Sequence, residues 1–213
     1  MDVNTTVPEQ KVKLEKYEWS NMWWDEPEMK GRRVLLVGDS ITNGYSPVLK
    51  KMMPCDIYID KYVTSRALDN PSYLKELKYM LTQGEYEVIH FNNGLHGGLD
   101  TACFKERYEE VVKYLLSLEN SPAIIISGTT PVVVVGKPNE YMPFNQKSIE
   151  RDKAAMEIAE KYNLVYENLY NAVDGIEGIR LNDSYHYNEH GCEILADIVC
   201  RNLKNVLKLN VKD

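Results

Sequence analysis

Two short stretches of this sequence hold side chains that together can do nucleophilic chemistry. Gly38-Asp39-Ser40-Ile41 offers a hydroxyl, and Asp183-Ser184-Tyr185-His186 offers an imidazole with a carboxylate three residues ahead of it. A serine hydroxyl is a poor nucleophile near neutral pH and needs a base to take its proton. The base in turn needs an acceptor on its other ring nitrogen, which fixes its tautomer and orientation. An acid three residues before a histidine, in a tight turn, supplies both from one loop. On this reading Ser40 is the nucleophile, His186 the general base and Asp183 its orienting partner. Asp39 and Ser40 are also common turn and cap residues, so the surrounding elements have to decide.

Those elements read as alternating strands and helices. Arg33-Val34-Leu35-Leu36-Val37 is a short aliphatic run, as expected of a central strand buried on both faces. Gly38 then turns the chain, and a helix is predicted near 45–53. That places Ser40 at the carboxyl end of a strand and near the amino end of a helix, where open α/β sheets bind ligands and where free N–H groups stabilise negative charge. Further strands are predicted over 56–63, 87–91, 123–127 and 163–167. Helices are predicted near 72–82, 101–118 and 146–162, with a last one at about 189–207. The apolar spacing of Phe104, Tyr108, Val111, Val112, Leu115 and Leu116, and of Ile194, Leu195, Ile198, Val199, Leu203 and Val206, marks two amphipathic helices. Repeated βα units predict a parallel sheet covered on both faces. In such a sheet Ser40, Ser65-Arg66, Asn92-Asn93, Thr129-Thr130 and Asp183–His186 open on one edge and converge.

Composition excludes several other roles. The chain has 213 residues and a net charge of −7, from 25 Lys plus Arg against 32 Asp plus Glu. This balance argues against nucleic acid or an anionic membrane surface as a partner. No apolar run approaches the roughly 20 residues that span a bilayer, and the first residues lack the basic and apolar segments of a signal peptide. Cys55, Cys103, Cys192 and Cys200 form no CxxC pair and no metal-ligand spacing with the histidines. Cys192 and Cys200 would lie about 12 Å apart along a helix, too far for a disulfide. Reduced thiols and a cytoplasmic location are the expectation.

With Gly38-Asp39-Ser40-Ile41 near one end, Asp183-x-x-His186 near the other and βα units between them, the chain resembles the GDSL/SGNH hydrolases over about residues 32–207. The resemblance implies a flavodoxin-like three-layer α/β/α sandwich with a mainly five-stranded parallel sheet. It also implies a triad of Ser40, His186 and Asp183, and hydrolysis of small-molecule or carbohydrate esters without metal or cofactor. Residues 31–213 would be the hydrolase domain. Residues 1–30, which include Trp19, Trp23 and Trp24, would form an arm that packs over it, lines a substrate cleft or makes a subunit contact. The family builds its oxyanion hole from the serine N–H, a glycine N–H after the second strand and an asparagine after the third. Here Thr64-Ser65-Arg66-Ala67-Leu68 has no glycine, so Ala67 would have to serve. Asn92-Asn93-Gly94-Leu95 offers two asparagines, of which Asn93 is preferred.

Substrates with short acyl groups, acetyl on sugars among them, are expected because no broad apolar surface for a lipid tail is visible. A lysophospholipase or thioesterase, an acyltransferase, and an inactive binding module on the same fold are the alternatives. The oligomeric state is left open. Asp39, Arg66, His96 and Thr130 are candidate substrate contacts, although Asp39 can simply hold the turn and Arg66 can pair with an acid. His90 lies inside a strand, as a hydrogen-bonded core residue would, and His190 reads as a surface or cap residue. The stretch 139–144 is either a lid or ordinary loop packing.

Overall fold

The computed structural model describes residues 16–26, 28 and 30–209, so expectations for residues 1–15 fall outside the described part. In chain order the strands are β1 (Ser20–Trp23), β2 (Arg32–Gly38), β3 (Ile57–Thr64), β4 (Val88–Phe91), β5 (Ala123–Ser127), β6 (Val133–Val134), β7 (Lys137–Tyr141) and β8 (Val165–Glu167). The helices are α1 (Ser40–Met52), α2 (Pro71–Leu81), α3 (Thr101–Leu116), α4 (Asn145–Lys161), α5 (Leu169–Val173) and α6 (Glu189–Val206).

Val34, Leu35, Leu36 and Val37 are completely buried because β2 lies between β3 and β4, both parallel to it, with helices above and below. Its side chains alternate between two cores, as a strand's pleat requires. Val34 and Leu36 join Ile57, Ile59, Val88 and Ile125 beneath α1, α5 and α6. Leu35 and Val37 join Tyr62, Ile89, Phe91, Ile124 and Ile126 beneath α2, α3 and α4. The strand order is β1-β3-β2-β4-β5-β8. Without β1, this is the flavodoxin-like order 2-1-3-4-5, whose switch point falls between β2 and β4. The fold is therefore the three-layer α/β/α sandwich that the sequence predicts.

The sixth strand comes from the arm. β1 pairs antiparallel with β3, from Ser20 opposite Thr64 to Trp23 opposite Lys61. Trp24 packs against the core on the α2–α4 side, whereas Trp23 stays 58% exposed. A polar lattice fastens the arm: Asp25 N–H donates to Asp60 Oδ1 (3.0 Å), and Ile59 N–H donates to Asp25 Oδ2 (3.0 Å).

Three local differences from the predicted elements have physical causes. Helix α1 begins at Ser40 rather than near residue 45, because the Asp39 carboxylate caps it at the Ile41 N–H (2.8 Å). Asn43-Gly44 does not break this helix, since Gly44 faces Cys192 of α6. Pro47 lacks the N–H that would reach Asn43 O, and the Ser46 hydroxyl donates to that oxygen instead (3.0 Å). The stretch expected to be a long loop after β5 folds into the β6–β7 hairpin, and α5 follows β8.

Asp60 also accepts from Arg33 Nε at 2.9 Å, and both side chains are buried, Arg33 with 2% exposure. Truncating one partner leaves the other charge buried and unpaired. Asp60→Ala should therefore lose about 3–5 kcal/mol of stability in urea denaturation, while Arg33→Met with Asp60→Leu should lose much less. A loss below about 1 kcal/mol for the single variant, the size of an exposed pair, would contradict this.

Candidate active site

The turn that presents Ser40 is tight because Gly38 has no side chain. A Cβ at Gly38 would lie 2.1 Å from Thr42 Oγ1, so only glycine lets α1 start so close to the end of β2. Ser40 is the first residue of α1, where N–H groups lack partners within the helix. Its Oγ lies 2.9 Å from His186 Nε2, and His186 Nδ1 lies 2.9 Å from Asp183 Oδ2. The other carboxylate oxygen accepts from the N–H groups of Tyr185 (2.8 Å) and His186 (2.7 Å). Partial burial works against the Asp183 charge, but these N–H donors and the imidazole outweigh it and hold the carboxyl below its ordinary range. Because the folded value is lowered, the stability this charge contributes is complete above the unfolded pKa and is lost as pH falls through the folded one.

Arg180, which the sequence did not single out, fastens the histidine loop. Its guanidinium donates to Pro131 O (2.9 Å), Tyr185 O (3.3 Å) and Tyr187 Oη (2.9 Å), and lies 4.5 Å from the centre of the Tyr187 ring. Leu181 N–H donates to His186 O (3.0 Å), and Asn188 caps α6 by accepting from Gly191 N–H (3.1 Å).

The candidate oxyanion residues separate. Asn92 uses its amide group on Ser127 O (2.9 Å) and Gly128 O (2.7 Å), tying β4 to β5, which removes it as a free donor. Asn93 Nδ2 donates to Arg66 O (3.1 Å), next to Ala67, and the same side chain neighbours the buried Tyr73 hydroxyl. Ala67 is packed against Gly97, and among the described residues its N–H has no hydrogen-bond acceptor.

The substrate-contact candidates separate too. A cleft of about 450 Å3 is lined by Ser40, His186, His96, Trp19, Phe144 and Tyr185 among others. Arg66 is engaged by Glu76 (3.0 Å) and Glu18 (3.4 Å), so it acts as the paired cation. Asp39 is buried and capping, and Thr130 is 2% exposed beneath the cleft; neither side chain forms its rim. His90 meets Glu167 at 2.7 Å in the core, and His190 is exposed near Glu193. The stretch 139–144 runs through the end of strand β7 as far as Tyr141 and then turns, with Phe144 reaching the cleft. Trp19 lines the cleft while Trp24 packs on the core. Asp183→Asn should leave the fold intact but lower kcat/KM about 10²- to 10⁴-fold on any ester turned over; steady-state kinetics and circular dichroism check both halves.

No family model matches the sequence, and no curated protein matches it. Solved structures do. The aryl esterase of M. smegmatis superposes with a TM-score of 0.69 at 14% identity, covering 83% of this chain and 100% of that one. A carbohydrate acetylesterase family member from Sinorhizobium meliloti gives 0.66 at 14% identity over 84% of this chain and 100% of that one. A GDSL-like lipase from Bacteroides thetaiotaomicron gives 0.63 at 13% identity over 82% and 88%. At such identities the likeness is one of architecture: the chain has the GDSL/SGNH hydrolase fold.

Proposed function

We propose that the protein is a serine ester hydrolase that removes short acyl groups, acetyl foremost, from a carbohydrate or another small alcohol. The observation that carries this reading is the relay of Ser40 Oγ, His186 and Asp183, with 2.9 Å at each imidazole nitrogen. Ser40 Oγ attacks the acyl carbon while His186 Nε2 takes its proton. The negative charge that develops on the carbonyl oxygen meets the N–H groups of Ser40 and Ala67 and the Asn93 amide. Donors of this kind contribute about 3 kcal/mol each when aimed at the oxyanion. His186 then returns the proton to the leaving alcohol, which departs as the acyl-enzyme forms. Water repeats the cycle, losing a proton to His186 and releasing the acid. Asp183 stays ionised throughout and stabilises the imidazolium.

The cleft supports the choice of substrate. A volume of about 450 Å3 suits a small molecule. Trp19, Phe144 and Tyr185 give it aromatic faces, which pack well on the apolar face of a sugar or aryl ring. Two of the structural neighbours, an aryl esterase and a carbohydrate acetylesterase family member, are consistent with such alcohols.

A series of p-nitrophenyl esters from acetate through octanoate to palmitate tests the proposal. Turnover should be highest on acetate and fall to background in Ser40→Ala. An optimum at long chains would replace the short-acyl assignment with a lipase. Equal rates in wild type and Ser40→Ala on every ester would overturn the hydrolase reading.

A further inference from the structure

We propose that Arg151 is a positioning residue for the oxyanion side of the cleft, acting through the loop that follows β4. This rests on the ester-hydrolase reading. Arg151 lies on α4 and is 1% exposed. Its Nη1 donates to Gly94 O (2.9 Å) and His96 O (2.8 Å), and its Nη2 donates to Gly97 O (3.0 Å) and Leu99 O (3.1 Å). The guanidinium carbon lies 5.0 Å from the centre of the Phe104 ring and 5.7 Å from that of Phe144.

Four carbonyl oxygens from one short loop converge on a single cation. Such oxygens repel one another, so a loop with this shape holds only while the cation is in place. Lysine cannot replace it, because an ammonium is a compact point charge, whereas the planar guanidinium spreads its donors along the loop.

The held loop reaches the oxyanion donors at two places. Its leading residue, Asn93, sends an amide hydrogen to Arg66 O, one residue before Ala67. Farther along, Gly97 has φ +81° and lies so close to Ala67 that a Cβ on it would be 2.3 Å from the Ala67 Cβ. Where the family pattern has a glycine after the second strand, this chain has Ala67, and the facing loop supplies the glycine that makes room for its methyl group. The spacing between the Ala67 N–H and the Asn93 amide is therefore set by the loop, and the loop is set by Arg151. His96, whose own carbonyl is one of the four clasped, is carried to the cleft wall by the same device.

The test compares wild type with Arg151→Lys and Arg151→Gln on p-nitrophenyl acetate. It measures kcat, KM, the pH dependence of kcat/KM, thermal melting, and inhibition by phenylboronic acid, which forms a tetrahedral adduct on a reactive serine. Folded variants should lose on the order of 10- to 100-fold in kcat, with KM within about threefold of wild type. Boronate inhibition should weaken in step with kcat, and the pH dependence should not move. A purely structural role would lower the melting temperature and leave kcat and boronate affinity unchanged in the folded fraction. That outcome, or a raised KM with unchanged kcat, overturns the proposal. Should neither variant fold, Phe104→Leu withdraws the ring beneath the guanidinium and must still lower kcat; wild-type kcat there overturns it as well. A wild type inactive on every ester, with no boronate binding, instead fails the hydrolase reading on which the proposal rests.

Discussion

The passage from β2 into α1 is the constraint on which the rest of the site depends. Like β4 and β5, β2 has parallel neighbours on both sides and a core on each face, so its end cannot shift without disturbing both cores. Gly38 allows the approach to Thr42, Asp39 caps the Ile41 N–H, and Ser40 follows as the first helical residue. The hydroxyl is thus delivered from the interior of the sheet, at the switch point where parallel α/β folds open a crevice. His186 meets it from 146 residues away in sequence, which is possible only because α6 packs beside α1 and brings its preceding loop to the same edge.

Loops cannot be held in place by apolar packing alone, because their backbone carries polar groups that need partners. Here two arginines answer that need. Arg180 gathers carbonyls around the Asp183–His186 loop, and Arg151 gathers those of the loop after β4. Each guanidinium also lies near an aromatic ring, which offsets part of the cost of removing it from water. Asn92 does the same on a smaller scale, tying β4 to the exit of β5. The buried strands and the loops that border the cleft are thereby joined by a few polar side chains.

The fold was legible in the sequence wherever burial is two-sided, since runs such as Val34–Val37 and Ile124–Ile126 have few structural alternatives. Strand β1 was not, because Ser20-Asn21-Met22-Trp23 is short and is held by an edge pairing that leaves no apolar alternation. The start of α1 was misplaced because Asn43-Gly44 looks like a turn until α6 is seen packing on the glycine. In the site, the meeting of Ser40, Asp183 and His186 was readable from residue type and spacing. The choice between Asn92 and Asn93 was not, because adjacent residues point to opposite sides and only the partners tell them apart. Asp39 and Thr130 were candidate substrate contacts from their positions after strands, yet both are buried. Arg151 and Arg180 left no signal, since what they bind is backbone, which every sequence has.

The most direct measurement is mass-spectrometric mapping of the adduct formed with a fluorophosphonate, which reacts with a serine hydroxyl activated by a neighbouring base. One phosphonyl group on Ser40, formed quickly in the wild type and at least about a hundredfold more slowly in His186→Ala, is the expected result. Modification at another residue, no modification at all, or labelling of Ser40 undiminished in His186→Ala would contradict the claim that His186 activates Ser40.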